Sequence, residues 1–140
     1  MQKRADEKYH SGGLWTNTCC GHPAPGEIVH GAATRRLNQE MGLNCELKFG
    51  FKFLYKENVG NHLTEHEVDY VFFGISDALP ELNESEVSAY RYISFEELQD
   101  EMSDVPDTFT EWFKLIYEKA FDFFGVTEMF LNKTSFNKNY

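Results

Sequence analysis

Two neighbouring stretches of alternating residues constrain this chain most. Phe49, Phe51, Phe53 and Tyr55 fall on every second position, the side-chain period of a β-strand. Thr64 to Phe73 alternates as well, with Glu65, Glu67 and Asp69 on one face and His66, Val68 and Tyr70 on the other. Asn58 to Asn61, between them, carries turn residues. The pattern predicts two long strands paired as a hairpin. A row of acids on a strand is ordinarily a solvated face, and Asp69 is read that way.

The flanking segments supply shorter strands and helices. Met1 to Ala5 reads as the end of a strand, residues 6 to 13 as a loop, Leu14 to Thr18 as a short strand, and Val87 to Ile93 as a further one. From Ile28 to Met41 the apolar residues Val29, Ala33, Leu37 and Met41 lie about one turn apart, and Gly42 follows. That is a helix with its terminating glycine. Ser94-Phe95-Glu96-Glu97 is a capping box opening a short helix to about Met102. A last helix is predicted over about Thr108 to Phe124, with an apolar stripe that includes Trp112, Ile116 and Phe123, stopped by Gly125. The expectation is an α/β domain over residues 1–125, a mixed sheet sandwiched between helices. Residues 126–140 form a polar tail on which Met129 and Phe130 are the docking candidates.

Composition removes several function classes. The net charge of -10 argues against nucleic acid or an anionic membrane as partner. The acid is concentrated between Glu81 and Asp122, whereas Lys3, Arg4, Lys8, Arg35 and Arg36 lie early, which leaves room for a local anion site. Three cysteines, two of them adjacent, make a poor disulfide framework. They read as reduced thiols of a cytoplasmic protein. No run approaches a membrane-spanning helix, and the N-terminus lacks the apolar core of a secretory signal.

The chemistry is concentrated in Trp15-Thr16-Asn17-Thr18-Cys19-Cys20-Gly21-His22-Pro23. Cys20 and His22 point the same way on an extended chain, and Gly21 between them allows close approach of the backbone to a ligand. Cys19 and Cys45 read as ordinary buried thiols. Half of a zinc site is the competing reading of Cys19, Cys20 and His22, but no second Cys/His pair at finger spacing follows. Farther on stands Gly21-x5-Glu27-x7-Arg35-Arg36-Leu37-x-Gln39-Glu40-x-Gly42-Leu43. It resembles the Nudix box, with Arg36 and Gln39 where that box has glutamates. Nudix hydrolases use those carboxylates to bind divalent ions. An arginine there favours holding a diphosphate over hydrolysing it.

Taken with the Trp15–Pro23 run, this departure resembles the type I isopentenyl diphosphate isomerases, a degenerate Nudix family, over nearly the whole chain. The resemblance implies interconversion of isopentenyl and dimethylallyl diphosphate. Cys20 matches the family's catalytic cysteine and His22 a metal-binding histidine; Cys20 is also counted among the metal-site residues. Glu40 matches a carboxylate serving Mg2+ on the diphosphate, and Tyr55 the tyrosine beside the acid. Glu65 and Glu67 match two metal ligands, Glu67 being catalytic as well. Trp112 matches the tryptophan of the hydrocarbon pocket, while Arg4, Lys8 and Arg36 take the places of the diphosphate clamps. The implied cofactors are Mg2+ and a second divalent ion, Mn2+ or Zn2+, at the His/Glu site. The implied partner is a small prenyl diphosphate.

The family's metal site has three histidines, two of them upstream of the segment matched by Met1, and His10, His30, His62 and His66 do not match them. The expectation is thus an N-terminally shortened isomerase with an incomplete ligand set. Two other readings stand beside it: a Nudix hydrolase of a diphosphate, and an inactive metal- or diphosphate-binding remnant.

Overall fold

A computed structural model describes the backbone of residues 1–135 and the side chains of residues 1–123. Its longest feature is the hairpin. Strands β3 (Leu47–Gly60) and β4 (Leu63–Gly74) pair antiparallel from Leu47–Gly74 to Gly60–Leu63. The link is Asn61 and His62, with φ of 49° and 59°. A two-residue link with both residues left-handed matches the twist of the strands it joins. The turn is therefore tighter than the Asn58–Asn61 stretch suggests, and β3 gains the residues up to Gly60.

A second sheet has β1 (Gln2–Arg4) in the middle, with β2 (Trp15–Thr16) and β5 (Val87–Tyr90) antiparallel on either side. Parallel register occurs among the described residues as an isolated bridge between Trp15 and Phe109. The α/β reading holds, with the strands divided between two antiparallel sheets where one continuous mixed sheet was expected. A two-residue link can only return a strand antiparallel, which fixes the larger pairing.

Helix α1 (Val29–Met41) ends on Gly42, whose φ of 64° is left-handed and whose N–H donates to the Asn38 carbonyl. In α2 (Phe95–Asp104) the capping box forms: Ser94 Oγ accepts from Glu97 N at 3.2 Å, and Glu97 Oε2 accepts from Ser94 N at 3.0 Å. A 3-10 turn (Pro106–Thr108) leads to α3 (Glu111–Ser135). Gly125 does not stop α3, which crosses the boundary expected at residue 125. A glycine inside a helix costs only about 1 kcal/mol relative to alanine, so it ends a helix only where other interactions favour ending. Met129 and Phe130 lie outside the described side chains. No described helix is long and apolar enough to cross a membrane.

The main core joins α3 to the hairpin. Trp112, Phe113, Ile116 and Ala120 are buried with Phe109, Leu98 of α2, and Tyr55 and Val59 of β3. Phe123 stacks on Phe73 of β4 at 4.7 Å between ring centroids. A second cluster gathers Leu37 and Met41 of α1 with Leu43 and Val87. The Trp15–Asn17 stretch is tied to the start of α3. Thr110 N donates to the Trp15 carbonyl at 3.0 Å, Thr110 Oγ1 to Thr16 Oγ1 at 2.9 Å, and Trp112 Nε1 to Asn17 Oδ1 at 3.3 Å. These bonds fix where the cysteine-bearing segment enters.

At Gly42 an added Cβ would stand 2.8 Å from Glu81 Cβ and 2.9 Å from the Glu81 carbonyl oxygen. The left-handed backbone alone costs a non-glycine residue about 1–2 kcal/mol. Gly42→Ala is therefore expected to lose at least that much stability in a denaturant titration, while leaving the fold recognisable by circular dichroism.

Candidate active site

The segment after Thr16 leaves regular structure and crosses the mouth of a cavity of about 320 Å³. Cys20 and His22 line it from this segment, Tyr55 from β3, Glu65, Glu67 and Asp69 from β4, and Trp112 from α3. Arg4, Lys8, Arg36 and Glu86 line it as well, as a basic cluster with one acid among them. The three acids of β4 reach it together because side chains on alternate strand positions share a face.

Three charged or titratable pairs hold the acidic end. Tyr55 OH donates to Glu65 Oε2 at 2.5 Å, and His10 Nε2 lies 3.3 Å from Glu65 Oε1. His22 Nε2 lies 2.9 Å and 3.0 Å from the two oxygens of Glu67. Tyr55 sits opposite Glu67 in the ladder, so its bond to Glu65 is a diagonal cross-strand contact. Burial, then the bond to Glu65, pushes the Tyr55 phenol well above its ordinary value. Burial, then the Glu67 and Glu65 carboxylates, pushes Asp69 up to about 6. Asp69 thus belongs to the cavity and not to a solvated face. The expectation failed because alternation shows which residues share a face but not what lies over that face.

His10 is a second site residue that the sequence did not single out. It is buried, its ring meets Trp112 edge-on at 5.9 Å, and its Nδ1 is 3.1 Å from Ser11 Oγ. Burial, then the charge of Arg4, lowers its pKa against the opposing pull of Glu65. Its loop has no periodicity to flag it.

Cys20 stands between the two ends. Arg4 Nη1 donates towards its Sγ at 3.5 Å, and the Arg4 guanidinium lies 5.2 Å over the Trp112 ring. Burial, then the Glu40 carboxylate, pushes the Cys20 thiol up to about 12, although Arg4 and Arg36 pull the other way. Cys20 is therefore a neutral thiol at physiological pH.

The basic end is built from three elements. Arg4 belongs to β1, Lys8 to the following loop and Arg36 to α1. Arg4 Nη2 donates to the His10 carbonyl, and its buried Nε has no hydrogen-bond partner among the described residues. Lys8 Nζ lies 2.5 Å from Glu86 Oε2, and Arg36 lies 2.6 Å from Glu40 and 3.2 Å from Glu86. Glu40 is 2 % exposed and also accepts from Gln2 Nε2 at 2.9 Å. Burial pushes its carboxyl up, with Gln2 and Arg36 opposing. Glu27 and Arg35, two further positions of the box, pair with each other through two 2.8 Å contacts.

The donor chemistry of His22, Glu65 and Glu67 suits a divalent ion, but the arrangement does not. His22 and Glu67 are joined to each other, while Glu65 is turned to Tyr55 and His10. Among the described residues, no three His, Cys, Asp or Glu side chains are grouped to hold a metal ion. The oxygens of Glu40 are likewise engaged by Gln2 and Arg36.

A test of the site's electrostatics is alkylation of Cys20. Raising a thiol from 9.0 to about 12 cuts its thiolate population about a thousandfold, offset in part by the greater nucleophilicity of the stronger base. Iodoacetamide should label Cys20 roughly thirtyfold slower at pH 8 than an unperturbed thiol, as followed by peptide mass spectrometry.

Comparison with known proteins follows the same lines. Residues 1–113 match the NUDIX domain family. The isopentenyl-diphosphate Delta-isomerase of Pectobacterium atrosepticum is 50% identical over 123 residues, 88% of this chain and 69% of the relative. Isopentenyl-diphosphate Delta-isomerase 2 of Aromatoleum aromaticum is 48% identical over 112 residues, 80% of this chain and 59% of the relative. The protein of the same name in Photorhabdus laumondii is 48% identical over 116 residues, 83% and 66% of the two chains. The chain thus spans about two thirds of the length of these relatives. With a thiol, paired carboxylates and an indole around one cavity, and an arginine in the altered box, the chain belongs to the isopentenyl-diphosphate Delta-isomerase branch of the Nudix family.

Proposed function

We propose that this protein interconverts isopentenyl and dimethylallyl diphosphate. The observation that carries the reading is the placement of Cys20, Tyr55, Glu67 and Trp112 around one cavity that has cations at its far end. An unactivated alkene is a feeble base, so the reaction needs a proton donor in a site shielded from water. Protonation at the terminal methylene leaves a tertiary cation. Loss of a proton from the carbon on the diphosphate side then moves the double bond, and no proton is gained or lost overall.

The side chains divide this work. Cys20, held as a neutral thiol, can give or relay one proton, and the Glu67–Tyr55 side can exchange the other. Reversing the reaction exchanges the two roles. The π face of Trp112 stabilises the cation by about 2 kcal/mol when desolvated. Arg4, Lys8 and Arg36 hold the diphosphate, a good leaving group next to a cation, through charge-assisted hydrogen bonds. Hydrolysis is not favoured, because Arg36 occupies a box position where a hydrolase needs a carboxylate.

The metals implied by the resemblance, Mg2+ and a second divalent ion (Mn2+ or Zn2+), enter this reading as assay components, with no site and no step assigned to them. We place the protein in the cytoplasm, where its three unpaired cysteines would stay reduced.

The test is an NMR assay with isopentenyl diphosphate, Mg2+ and Mn2+, following the dimethylallyl methyl signals. Product is expected from the chain as it stands. Cys20→Ala should lose about 10²–10⁴-fold in turnover, the range of a positioned acid or base, and should bind inorganic pyrophosphate nearly as before. Turnover retained in that variant would remove Cys20 from the mechanism.

A further inference from the structure

Glu86 has no part in the proton transfer, yet it sits among the cations that would hold the diphosphate. A single oxygen, Oε2, takes Lys8 Nζ at 2.5 Å and Arg36 Nη2 at 3.2 Å. The other carboxylates lining the cavity, Glu65, Glu67 and Asp69, belong to β4, where Glu65 and Glu67 have other hydrogen-bond and ion-pair partners. Burial works against the charge on Glu86, but the hydrogen bond and charge of Lys8, joined by Arg36, outweigh it and hold the carboxyl below its ordinary value.

Arg36 has two acidic partners of different kinds. Glu40 is 2 % exposed and bonded on its other side to Gln2. The Glu86 side chain is 24 % exposed, so water can take it up if it leaves. Its backbone is held independently of the carboxylate: Glu86 N donates to the Asn83 carbonyl, and the Glu86 carbonyl accepts from Ala5 N. The side chain can therefore swing out without moving the strand that follows.

We propose that Glu86 is an internal counter-ion seated in the diphosphate clamp, displaced by the incoming diphosphate and limiting which anions the site accepts. This rests on the reading of Lys8 and Arg36 as diphosphate clamps. With no diphosphate bound, Glu86 holds Lys8 and Arg36 converged and balances part of their charge. A singly charged anion gains little by replacing one carboxylate with another charge of the same size. A diphosphate brings more charge and several oxygens, and makes more charge-assisted hydrogen bonds than the one oxygen it removes. Selectivity then comes from a built-in competitor as well as from attraction.

The experiment is calorimetric titration of inorganic pyrophosphate and of inorganic phosphate into the wild type, Glu86→Gln, Glu86→Ser and Lys8→Met, each first confirmed folded by circular dichroism. Both Glu86 variants should bind pyrophosphate about five- to thirtyfold more tightly. Phosphate should gain by more than pyrophosphate does, so that the preference for pyrophosphate falls. Lys8→Met should weaken pyrophosphate binding. Unchanged or weaker binding in both Glu86 variants, with Lys8→Met still weakened, would leave the clamp standing and overturn the counter-ion role. Absence of pyrophosphate binding in all four proteins would overturn the clamp and this proposal together, whereas the isomerase is judged separately by its product signals.

Discussion

The hydrogen bonds from Thr110 to Thr16 and from Trp112 to Asn17 place everything that follows. Strand β2 is only two residues long, too short to hold the cysteine-bearing segment by its ladder alone. Thr16 and Thr110 are both fully buried and bonded to each other. A buried hydroxyl left without its partner costs about 1–3 kcal/mol, so this pair has few alternatives. Asn17 then works in two directions, accepting from Thr16 and Trp112 and donating to the Cys19 carbonyl at 2.5 Å. The indole that lines the cavity and the thiol that enters it are set by the same amide.

The resulting cavity is electrically divided. Carboxylates of β4 crowd one end closely enough to push Asp69 up to about 6, burial being the larger cause. Arginines and a lysine occupy the other end, balanced by Glu40 and Glu86. A neutral thiol and an indole lie between. A substrate with a dense anionic head and an apolar tail has one sensible orientation in such a field.

Periodic patterns in the sequence translated directly into elements. The alternation of Phe49 to Tyr55 and of Thr64 to Phe73 became β3 and β4, the spacing of Val29 to Met41 became α1, and Ser94 with Glu97 formed its box. Each depends on residues close together in the chain. Gly125 misled because a glycine's meaning depends on whether the helix has reason to continue, which sequence spacing does not record. The division into two sheets was hidden for a similar reason, since β1 pairs with β5 across most of the chain. Within the site, Asp69 was visible in the same alternation as Glu65 and Glu67 but was given to solvent. His10 and Glu86 come from irregular segments and meet partners remote in sequence, so no local pattern could have marked them.

The altered box shows how one fold changes its chemistry. A glutamate at position 36 would add a carboxylate beside Glu40 on the same helix face, which suits a cluster of divalent ions. Arg36 reverses the charge of that turn, and the neighbouring Glu40 becomes its buried partner. The helix then carries a fixed positive charge at the cavity, and its remaining acid stabilises that arginine. Hydrolysis needs activated water at the phosphorus, whereas moving a double bond needs water kept away from a cation. One substitution in the box favours the second requirement over the first, while the scaffold that places the helix against the cavity is retained.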